Sequence, residues 1–381
     1  MSILSGAIGP TYTARSPIVD AERLVNWFPE ITDGNATGQN QLAYYPGPGH
    51  RPFVTLPDSP VRGLFYQNGR CYAVAGSSFY TLTINGGYTQ LGSVDPAFQP
   101  ATMCSNGPNG HQVFIVTGGS SYIYDIIANT IVVLNPATVG QEGIPSPDVM
   151  GAFCDGYFLA LEGGTNKFHI SHLEDGMLWD ALDVGQVSQS ADLLVSMVVN
   201  QRQVVLFGQQ TTTVWYNSGY ATFPFQPIQG TFMQQGCQAP FSATLLDNSV
   251  YWLGTNESGG VVCYRLDNPP KRVSTHAVEA RWAQYRSVTN AIGWSYQDQG
   301  HYFYVLYFPN GDVTWVYDQS TGLWHERALW DVNFERFVPD LGRCHCFAWG
   351  KHLVGDRTTG TVYQMSLSYF DDEINPESLA L

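Results

Sequence analysis

Two short segments bring together residue types that could bind a metal ion. His169 and His172 are followed by Glu174 and Asp175, and a cysteine–histidine–cysteine run occupies positions 344–346. Imidazole, thiolate and carboxylate groups are the usual ligands of zinc. Both segments have the composition of strands, however, and along a strand positions i and i+3 point to opposite faces. The two histidines therefore cannot share an ion. The two cysteines do share a strand face, but no second pair lies at zinc-finger spacing, so they are better interpreted as small buried side chains. We predict no metal site.

Catalytic pairs and cofactor loops have equally little support. His325 beside Glu326 has the composition of an acid–base pair, but adjacent strand residues face away from one another. Asp33–Gly38 resembles the start of a calcium loop, yet the twelfth position is Tyr44 rather than the required Glu. The sequence contains no nucleophile elbow and no glycine-rich phosphate loop followed by a helix. We predict no catalytic residue and no cofactor, and we favour a protein that is not an enzyme.

The composition is that of a folded β protein. The 381 residues include 10 Trp, 22 Tyr, 20 Phe and 39 Gly, and only 13% are charged, which excludes a disordered chain or a coiled coil. A net charge of −15 repels nucleic acid and anionic membranes at long range. The seven cysteines form no regular framework, which favours reduced thiols. Because there is no signal-peptide pattern or long apolar run, we expect synthesis in the cytoplasm without membrane insertion.

A recurrent spacing of short β-rich runs organises the chain from about residue 58. In the first unit the runs 61–66 and 71–76 flank a turn that contains Asn68 and Gly69, the strongest short-range signal for a β-hairpin. The spacing recurs in six further units. These units lie at 97–137, 145–188, 190–232, 236–276, 281–328 and 333–370. Seven units of roughly 45 residues have the length of propeller blades.

The sequence therefore predicts an all-β fold, a β-propeller of about seven four-stranded blades over residues 58–370. Blades stacked around an axis bury both faces of each sheet and leave only short edges. The one candidate helix lies at 277–285, and 371–381 is interpreted as a C-terminal tail.

Residues 1–57 lack this spacing and carry seven prolines, which is typical of an extended arm that runs over a surface. Closure of a propeller ring usually needs a strand from the opposite terminus. The segment 44–54 is the candidate, because it precedes the first unit and could pair with the last.

The segment 24–30 is the most apolar part of this N-terminal arm. It could be an edge strand packed on the propeller or a contact with another subunit. The possible subunit-contact residues are Leu24, Trp27 and Phe28.

Several segments in this order resemble the packaged-DNA stabilisation proteins of short-tailed bacteriophages (podoviruses), also called tail hub or nozzle proteins. The segments that carry the resemblance are Leu24–Glu30, Asp175–Gly176, Trp179–Asp183, Leu206–Gly208, Thr213–Gly219, Phe223–Phe225, Gly236–Cys237, Ala239–Pro240, Asp247–Gly254, Arg272–Glu279, Thr314–Asp318 and Thr321–Arg327.

This resemblance implies a structural protein of the virion tail, assembled in the cytoplasm of the bacterial host. Members of the family form a ring, by analogy a homo-hexamer, below the portal and adaptor proteins. They close the DNA exit channel after packaging, retain the genome, and hold a needle, fibres or spikes beneath. An acidic ring would not bind DNA along its channel, so we expect steric retention and sliding without sequence-specific contact.

Two other functions stay open at this point. A carbohydrate-binding propeller that recognises a host receptor would expose aromatic platforms, for which Trp179, Trp215 and Trp324 are the candidates. A propeller glycosidase would need two carboxyl groups facing each other, about 5 to 9.5 Å apart, in the axial cleft.

Overall fold

Seven antiparallel sheets surround one axis in the computed structural model, which describes residues 23–32, 41–332 and 334–374. The innermost strands of neighbouring sheets contact each other in an unbroken cycle, so the sheets are the blades of a closed β-propeller. The predicted fold class, an all-β propeller of seven blades, is confirmed. The N-terminal arm adds a separate two-stranded sheet, Trp27–Thr32 with Gln41–Pro46, which we call the arm hairpin.

Blades 1 to 5 each contain four strands that follow the chain from the axis outward. The strands are Val61–Gln67, Arg70–Ala75, Ser78–Leu82 and Tyr88–Ser93 in blade 1; Thr102–Ser105, Gln112–Val116, Ser121–Asp125 and Thr130–Val133 in blade 2; Asp148–Cys154, Tyr157–Glu162, Lys167–Ile170 and Val184–Gln186 in blade 3; Leu194–Asn200, Gln203–Gly208, Thr212–Asn217 and Phe225–Pro227 in blade 4; and Thr244–Leu246, Ser249–Thr255, Val261–Arg265 and Lys271–Arg272 in blade 5.

Blades 6 and 7 depart from this pattern. Blade 6 has five strands, and the outermost strand of blade 7 comes from the N-terminal part of the chain. The strands are Ile292–Asp298, His301–Phe308, Val313–Asp318, Leu323–Asp331 and Arg336–Pro339 in blade 6, and Gly342–Ala348, Lys351–Asp356, Thr361–Ser366 and Gly49–Thr55 in blade 7.

The predicted spacing agrees with the observed blades except at the junction of the last two units. Arg336–Pro339, placed in the last unit by the sequence, instead pairs with the end of the nine-residue strand Leu323–Asp331. The first turn has the predicted hairpin geometry, because Asn68 (φ 52°) and Gly69 (φ 78°) both have positive φ. The candidate helix is present as His276–Trp282, capped by the Thr275 hydroxyl, and two 3-10 turns lie at Pro240–Ser242 and Pro309–Gly311.

Among the described residues, seven apolar clusters of the core lie one between each pair of neighbouring blades, and a small eighth cluster surrounds Leu341. Large flat side chains fill these wedges, as where the Phe207 ring of blade 4 lies 5.0 Å from the Trp252 ring of blade 5. Full burial of each large apolar side chain contributes about 1.5–3 kcal/mol. Stacking of blades therefore supplies most of the stability.

The ring closes where Gly49–Thr55 pairs antiparallel with Thr361–Ser366 in blade 7. The predicted closing segment, 44–54, thus divides between this strand and the second strand of the arm hairpin. Residues 371–373 lie along the start of the closing strand. Arg51 pairs there with Asp371 at 2.5 Å, and the backbone N–H of Glu373 donates to the carbonyl of His50.

Candidate assembly surface

The N-terminal arm docks on Leu323–Asp331 of blade 6 through backbone and side-chain bonds. The N–H of Glu326 donates to the carbonyl of Leu24, and the N–H of Asn26 donates to the carbonyl of Glu326, both at 2.9 Å. Arg23 donates two hydrogen bonds to the buried Glu326 carboxylate, at 3.0 and 2.8 Å. Forked, charge-assisted pairs of this kind are among the stronger hydrogen bonds in proteins. Glu326 is therefore the seat of the arm.

Asn26 turns the chain from this seat into the arm hairpin. Its backbone is left-handed, with φ 60°, and its side-chain amide both donates to the carbonyl of Ala328 (2.7 Å) and accepts from the N–H of Ala328 (2.8 Å). The N–H of Gly47, just after the hairpin, donates to the carbonyl of Asn26 at 2.7 Å. An Asn side chain can mimic a strand partner and tolerates this backbone conformation, which explains its use here.

Phe28 fixes the hairpin to the propeller by entering the core between blades 6 and 7. Only 2% of the residue is exposed, and its ring lies 4.9 Å from His301, 5.2 Å from Phe303 and 6.2 Å from His325. Burial, with the nearby Arg327 and His301, lowers the pKa of His325 well below its usual value. The hydrogen bond to Asp318, at 2.8 Å, raises the pKa of His301. The arm thus covers two histidines of opposite electrostatic character.

The three predicted contact residues have different environments. Phe28 is covered by this chain itself, and Leu24 contributes its backbone carbonyl to the seat on Glu326. Trp27 faces the other way and is 48% exposed. Among these three residues, Trp27 is the one whose large side chain is available to a partner.

Sequence reasoning missed a second group of exposed apolar residues, on the outer rim of blade 6. Trp330 and Phe337 lie on paired strands with ring centroids 5.1 Å apart, and Val332 and Phe334 are exposed in the connection between them. We call these four residues the rim patch. Contiguous exposed apolar surface marks sites of protein interaction. The alternation of apolar residues at 330, 332 and 334 is a signal that the sequence did contain.

The propeller axis contains a cavity of about 480 Å³, lined by the inner strands of all seven blades. Its walls are polar and apolar in nearly equal parts, and Met103, Met150, Met197 and Trp294 are among the apolar side chains. No Asp or Glu of the described residues lines it, so it lacks the carboxylate pair of a propeller glycosidase. This volume suits a small molecule, whereas the major groove of duplex DNA alone is about 12 Å wide. The axis of one chain therefore gives duplex DNA no passage.

The sequence segments that suggested metal or acid–base chemistry occupy structural positions. His169 donates a hydrogen bond from Nε2 to the Glu162 carboxylate at 3.1 Å rather than meeting His172. His325 packs on Phe28 while Glu326 binds Arg23, so these adjacent side chains face apart as expected. Within the described parts of the chain, no three His, Cys, Asp or Glu residues are arranged to hold a metal ion. All seven cysteines are free, and the segment 33–38 lies outside the described residues.

The three tryptophans considered as sugar platforms are core residues. Trp179 lies between blades 2 and 3, Trp215 between blades 3 and 4, and Trp324 between blades 5 and 6. All three are buried, so none presents a ring to a carbohydrate.

A comparison with known protein families gives a match that spans both the docked part of the arm and the propeller. A family model described as bacteriophage P22 Gp10, β-propeller, a phage stabilisation family, matches residues 22–369. The chain belongs to this family. The resemblance seen in the sequence is thereby confirmed, and the chain is a phage structural protein and a virion component. Two of the segments that carried the resemblance, 24–30 and 321–327, meet in space at the arm seat.

Solved structures share only the fold. The extracellular domain of the putative hybrid two component system BT4673 from B. thetaiotaomicron matches with a TM-score of 0.53 and 9% identity, over 84% of this chain and 40% of that one. Virginiamycin B lyase from Staphylococcus aureus matches with a TM-score of 0.49 and 9% identity, over 89% and 99%. The N-terminal domain of Nup159 matches with a TM-score of 0.47 and 11% identity, over 91% of this chain and 96% of that one.

A search of curated proteins finds no match. No helix among the described residues is long and apolar enough to cross a membrane.

Proposed function

We propose that several copies of this chain form a ring in the tail of a short-tailed phage, below the portal and adaptor. The ring closes the DNA exit channel after packaging, retains the genome and anchors the distal tail parts. The observation that carries this proposal is the match of residues 22–369 to the phage stabilisation family. By analogy with that family, six copies surround the tail axis.

The shape of the propeller supports a channel formed between chains. The axial cavity of about 480 Å³ is too small for duplex DNA, so a DNA channel requires several copies around a separate axis. The net charge of −15 disfavours binding of DNA to the walls of such a channel. Retention is then steric, and DNA slides out once the plug opens.

The outer sector of blade 6 supports contacts between copies or with tail partners. Trp27 and the rim patch expose aromatic rings, and such rings are enriched where protein interfaces form. The docked arm holds Trp27 in place through Phe28 and the seat on Glu326. A preformed aromatic contact loses little conformational freedom on binding.

Cryo-electron microscopy of intact particles, with mass spectrometry to identify the chain, tests the location. We expect a ring of propellers below the portal, with Trp27 or the rim patch in an interface. A chain that is absent from the ring, or that hangs singly from a fibre tip, would overturn the proposal and favour receptor binding. A channel lined continuously by Lys and Arg would overturn the steric mechanism while leaving the location intact.

Genome retention is tested separately with particles assembled without this chain. We expect heads that package DNA and then release it, measured as loss of nuclease-protected genome, with restoration by the wild-type chain. Stable retention without the chain would show that another component closes the channel.

A further inference from the structure

A second cavity, of about 500 Å³, opens at one mouth of the propeller axis. It lies where the connections between blades reach the innermost strands and where blade 7 makes its turn at 357–360. Pro100, Phe241, Ile292 and Arg343 line both this cavity and the axial one. The site is therefore a pocket at the entrance to the axis, on the propeller itself, and independent of the position of the chain in the virion.

Two buried arginines line this pocket without an anionic partner. Arg343 and Arg357 are each only 7% exposed, and among the described residues neither has a carboxylate within ion-pair distance. Arg343 donates from Nη2 to the carbonyl of Phe98, and Arg357 donates from Nε to the carbonyl of Asp340 at 3.3 Å. Nε of Arg343 and Nη2 of Arg357 have no hydrogen-bond partner. Two of the side chains that line this pocket thus each keep an unsatisfied guanidinium N–H donor.

A third arginine at the same mouth shows what full satisfaction looks like. Arg62 is also buried, but it donates to four backbone carbonyls, at distances from 2.8 to 3.0 Å. A buried cation without such acceptors is costly, and an anion removes the cost when it accepts from the free N–H groups. Burial lowers the pKa of Arg343 and also that of Arg62, so the two residues differ in their hydrogen-bond acceptors rather than in the direction of this shift. Arg62 has an acceptor for each of the donors described, whereas Arg343 and Arg357 each have a nitrogen with none. This difference indicates that an external anion would stabilise Arg343 and Arg357.

The walls of the pocket select the kind of anion. Besides the arginines and the polar side chains of Gln99, Thr289 and Asn290, the walls are apolar. The apolar part is formed by Pro100, Pro240, Phe241, Ile292, Tyr307 and Pro309, with the 86% exposed Phe98 at the rim. A sugar acid carries several hydroxyl groups and would bury most of them against this apolar surface. An apolar wall beside two guanidinium groups fits a carboxylate next to an apolar side chain.

We propose that this pocket binds an aspartate or glutamate carboxylate flanked by an apolar residue, presented by a segment of a partner protein. Arg343 and Arg357 hold the carboxylate, and the proline and aromatic walls cover the neighbouring side chain. The occupant enters at the mouth of the axis rather than at the outer rim, so this site is separate from Trp27 and the rim patch.

Titration of the purified full-length chain with acetyl-aspartyl-phenylalanine amide tests the proposal. Binding is measured by calorimetry and by ligand-observed NMR. The matched control ligand is acetyl-asparaginyl-phenylalanine amide, which differs only by an amide in place of the carboxylate. We expect the acidic peptide to bind at least tenfold more tightly than its amide, because a hydrogen bond to a charged group contributes about 1.5–3 kcal/mol.

Three variants assign the binding to the pocket. Arg343→Met and Arg357→Met each remove a free donor while keeping an apolar stem, so we expect a folded chain and at least a tenfold loss of affinity. Arg202→Met, at the exposed Arg202 of blade 4, should bind like the wild type. If one pocket variant fails to fold, the other and Arg357→Lys still test the site, because Lys keeps the charge but loses the fork.

Several outcomes would overturn the proposal. These are equal binding of the acidic and amide peptides, no binding of either, or binding that survives both arginine variants. Glucuronate and inorganic phosphate are titrated in parallel. Tighter binding of glucuronate would assign the pocket to an acidic sugar, and tighter binding of phosphate would assign it to a phosphate group.

Discussion

Blades 1 to 5 differ from the rest of the propeller in how many charged residues they bury. We call the rest, blades 6 and 7 with the strand 49–55, the closing sector. In blades 1 to 5 the buried Asp, Glu, His, Lys and Arg residues of the described chain are Arg62 and Asp148. The closing sector contains many more. They are His50, His301, Asp318, His325, Glu326, Arg327, Asp331, Asp340, Arg343, Asp356 and Arg357.

This difference follows from the way in which each sector is connected. In blades 1 to 5 tight hairpins set the register of successive strands, so apolar stacking is sufficient. In the closing sector the arm and the strand 49–55 meet partners about 300 residues away, with no turn to set the register. Arg23 bonds Glu326 across a separation of 303 residues, and the backbone of His50 bonds Asp372 across 322. Polar partners penalise a shifted register, because a shift leaves buried groups unpaired.

The largest effect should follow removal of the closing strand. A chain that begins at residue 58 lacks the outer strand of blade 7 and opens the cores next to it, which include Val54 and Leu56. We expect loss of the cooperative unfolding transition in calorimetry. The control chain begins at Arg23, keeps all the contacts described above, and should unfold like the full chain. An unchanged melting temperature for the shorter chain would show that the ring of seven blades closes without this strand.

Phe28→Ala should have the next largest effect, because it empties part of the core between blades 6 and 7. Truncation of a buried Phe typically costs about 3 kcal/mol or more. We expect a loss of about 3 kcal/mol in the free energy of unfolding, measured with denaturant. The matched control, Phe370→Ala, removes an exposed ring and should change stability by less than about 0.5 kcal/mol. Equal effects would mean that the arm is not docked in solution.

Asp148→Asn should stabilise the protein, in contrast to most buried substitutions. Burial raises the pKa of Asp148 to about 7, and one carboxylate oxygen has no hydrogen-bond partner. The folded state therefore holds its proton more tightly than the unfolded state, and stability falls as pH rises from about 4 to 7. We expect a gain of about 2 kcal/mol at pH 7.5 and almost none at pH 4, measured by denaturant unfolding at both values. A loss of stability at pH 7.5 would show that the carboxylate is needed.

The fold was largely accessible from the sequence because hairpins are local. Asn68-Gly69 and its equivalents mark turns within a few residues of the strands they connect, so the number of blades follows from their spacing. The fifth strand of blade 6 was misplaced because a strand at 336–339 has the same local pattern whichever blade it joins. Its position depends on the unusual length of Leu323–Asp331.

Only part of the candidate assembly surface could be predicted from the sequence. Alternation along a strand predicts that Trp27 and Phe28 face opposite ways, but not which of them is covered. The answer depends on His301, Phe303 and His325, which are distant in sequence and give no local signal for the arm. Arg343 and Arg357, which line the pocket at the mouth of the axis, were also not predictable. Their local sequence does not show that both side chains are buried.

A pH-dependent difference should follow from His325→Phe. Because burial lowers the pKa of His325, the unfolded state binds a proton below about pH 6.5 while the folded state does not. The contribution of His325 to stability therefore decreases as the pH is lowered. His301 has a raised pKa and the opposite sign: its contribution is present below pH 6.5 and is lost as pH rises through the raised value. Relative to wild type, the variant should gain about 1 kcal/mol between pH 7.5 and 5.5. A constant difference across this range would show that His325 does not stay neutral in the folded state.

The smallest effect on stability, and the most informative for assembly, should come from Trp27→Ala. Trp27 and Phe28 are neighbours on one strand, yet one ring is exposed and the other is inside the core. Substitution of the exposed ring should change the free energy of unfolding by less than about 0.5 kcal/mol. It should nevertheless reduce incorporation of the chain into particles, measured by complementation and mass spectrometry, while the exposed Tyr220→Ala in blade 4 should not. Normal incorporation of the Trp27 variant would move the subunit contact away from the arm, and the rim patch around Trp330 would then be the surface to substitute next.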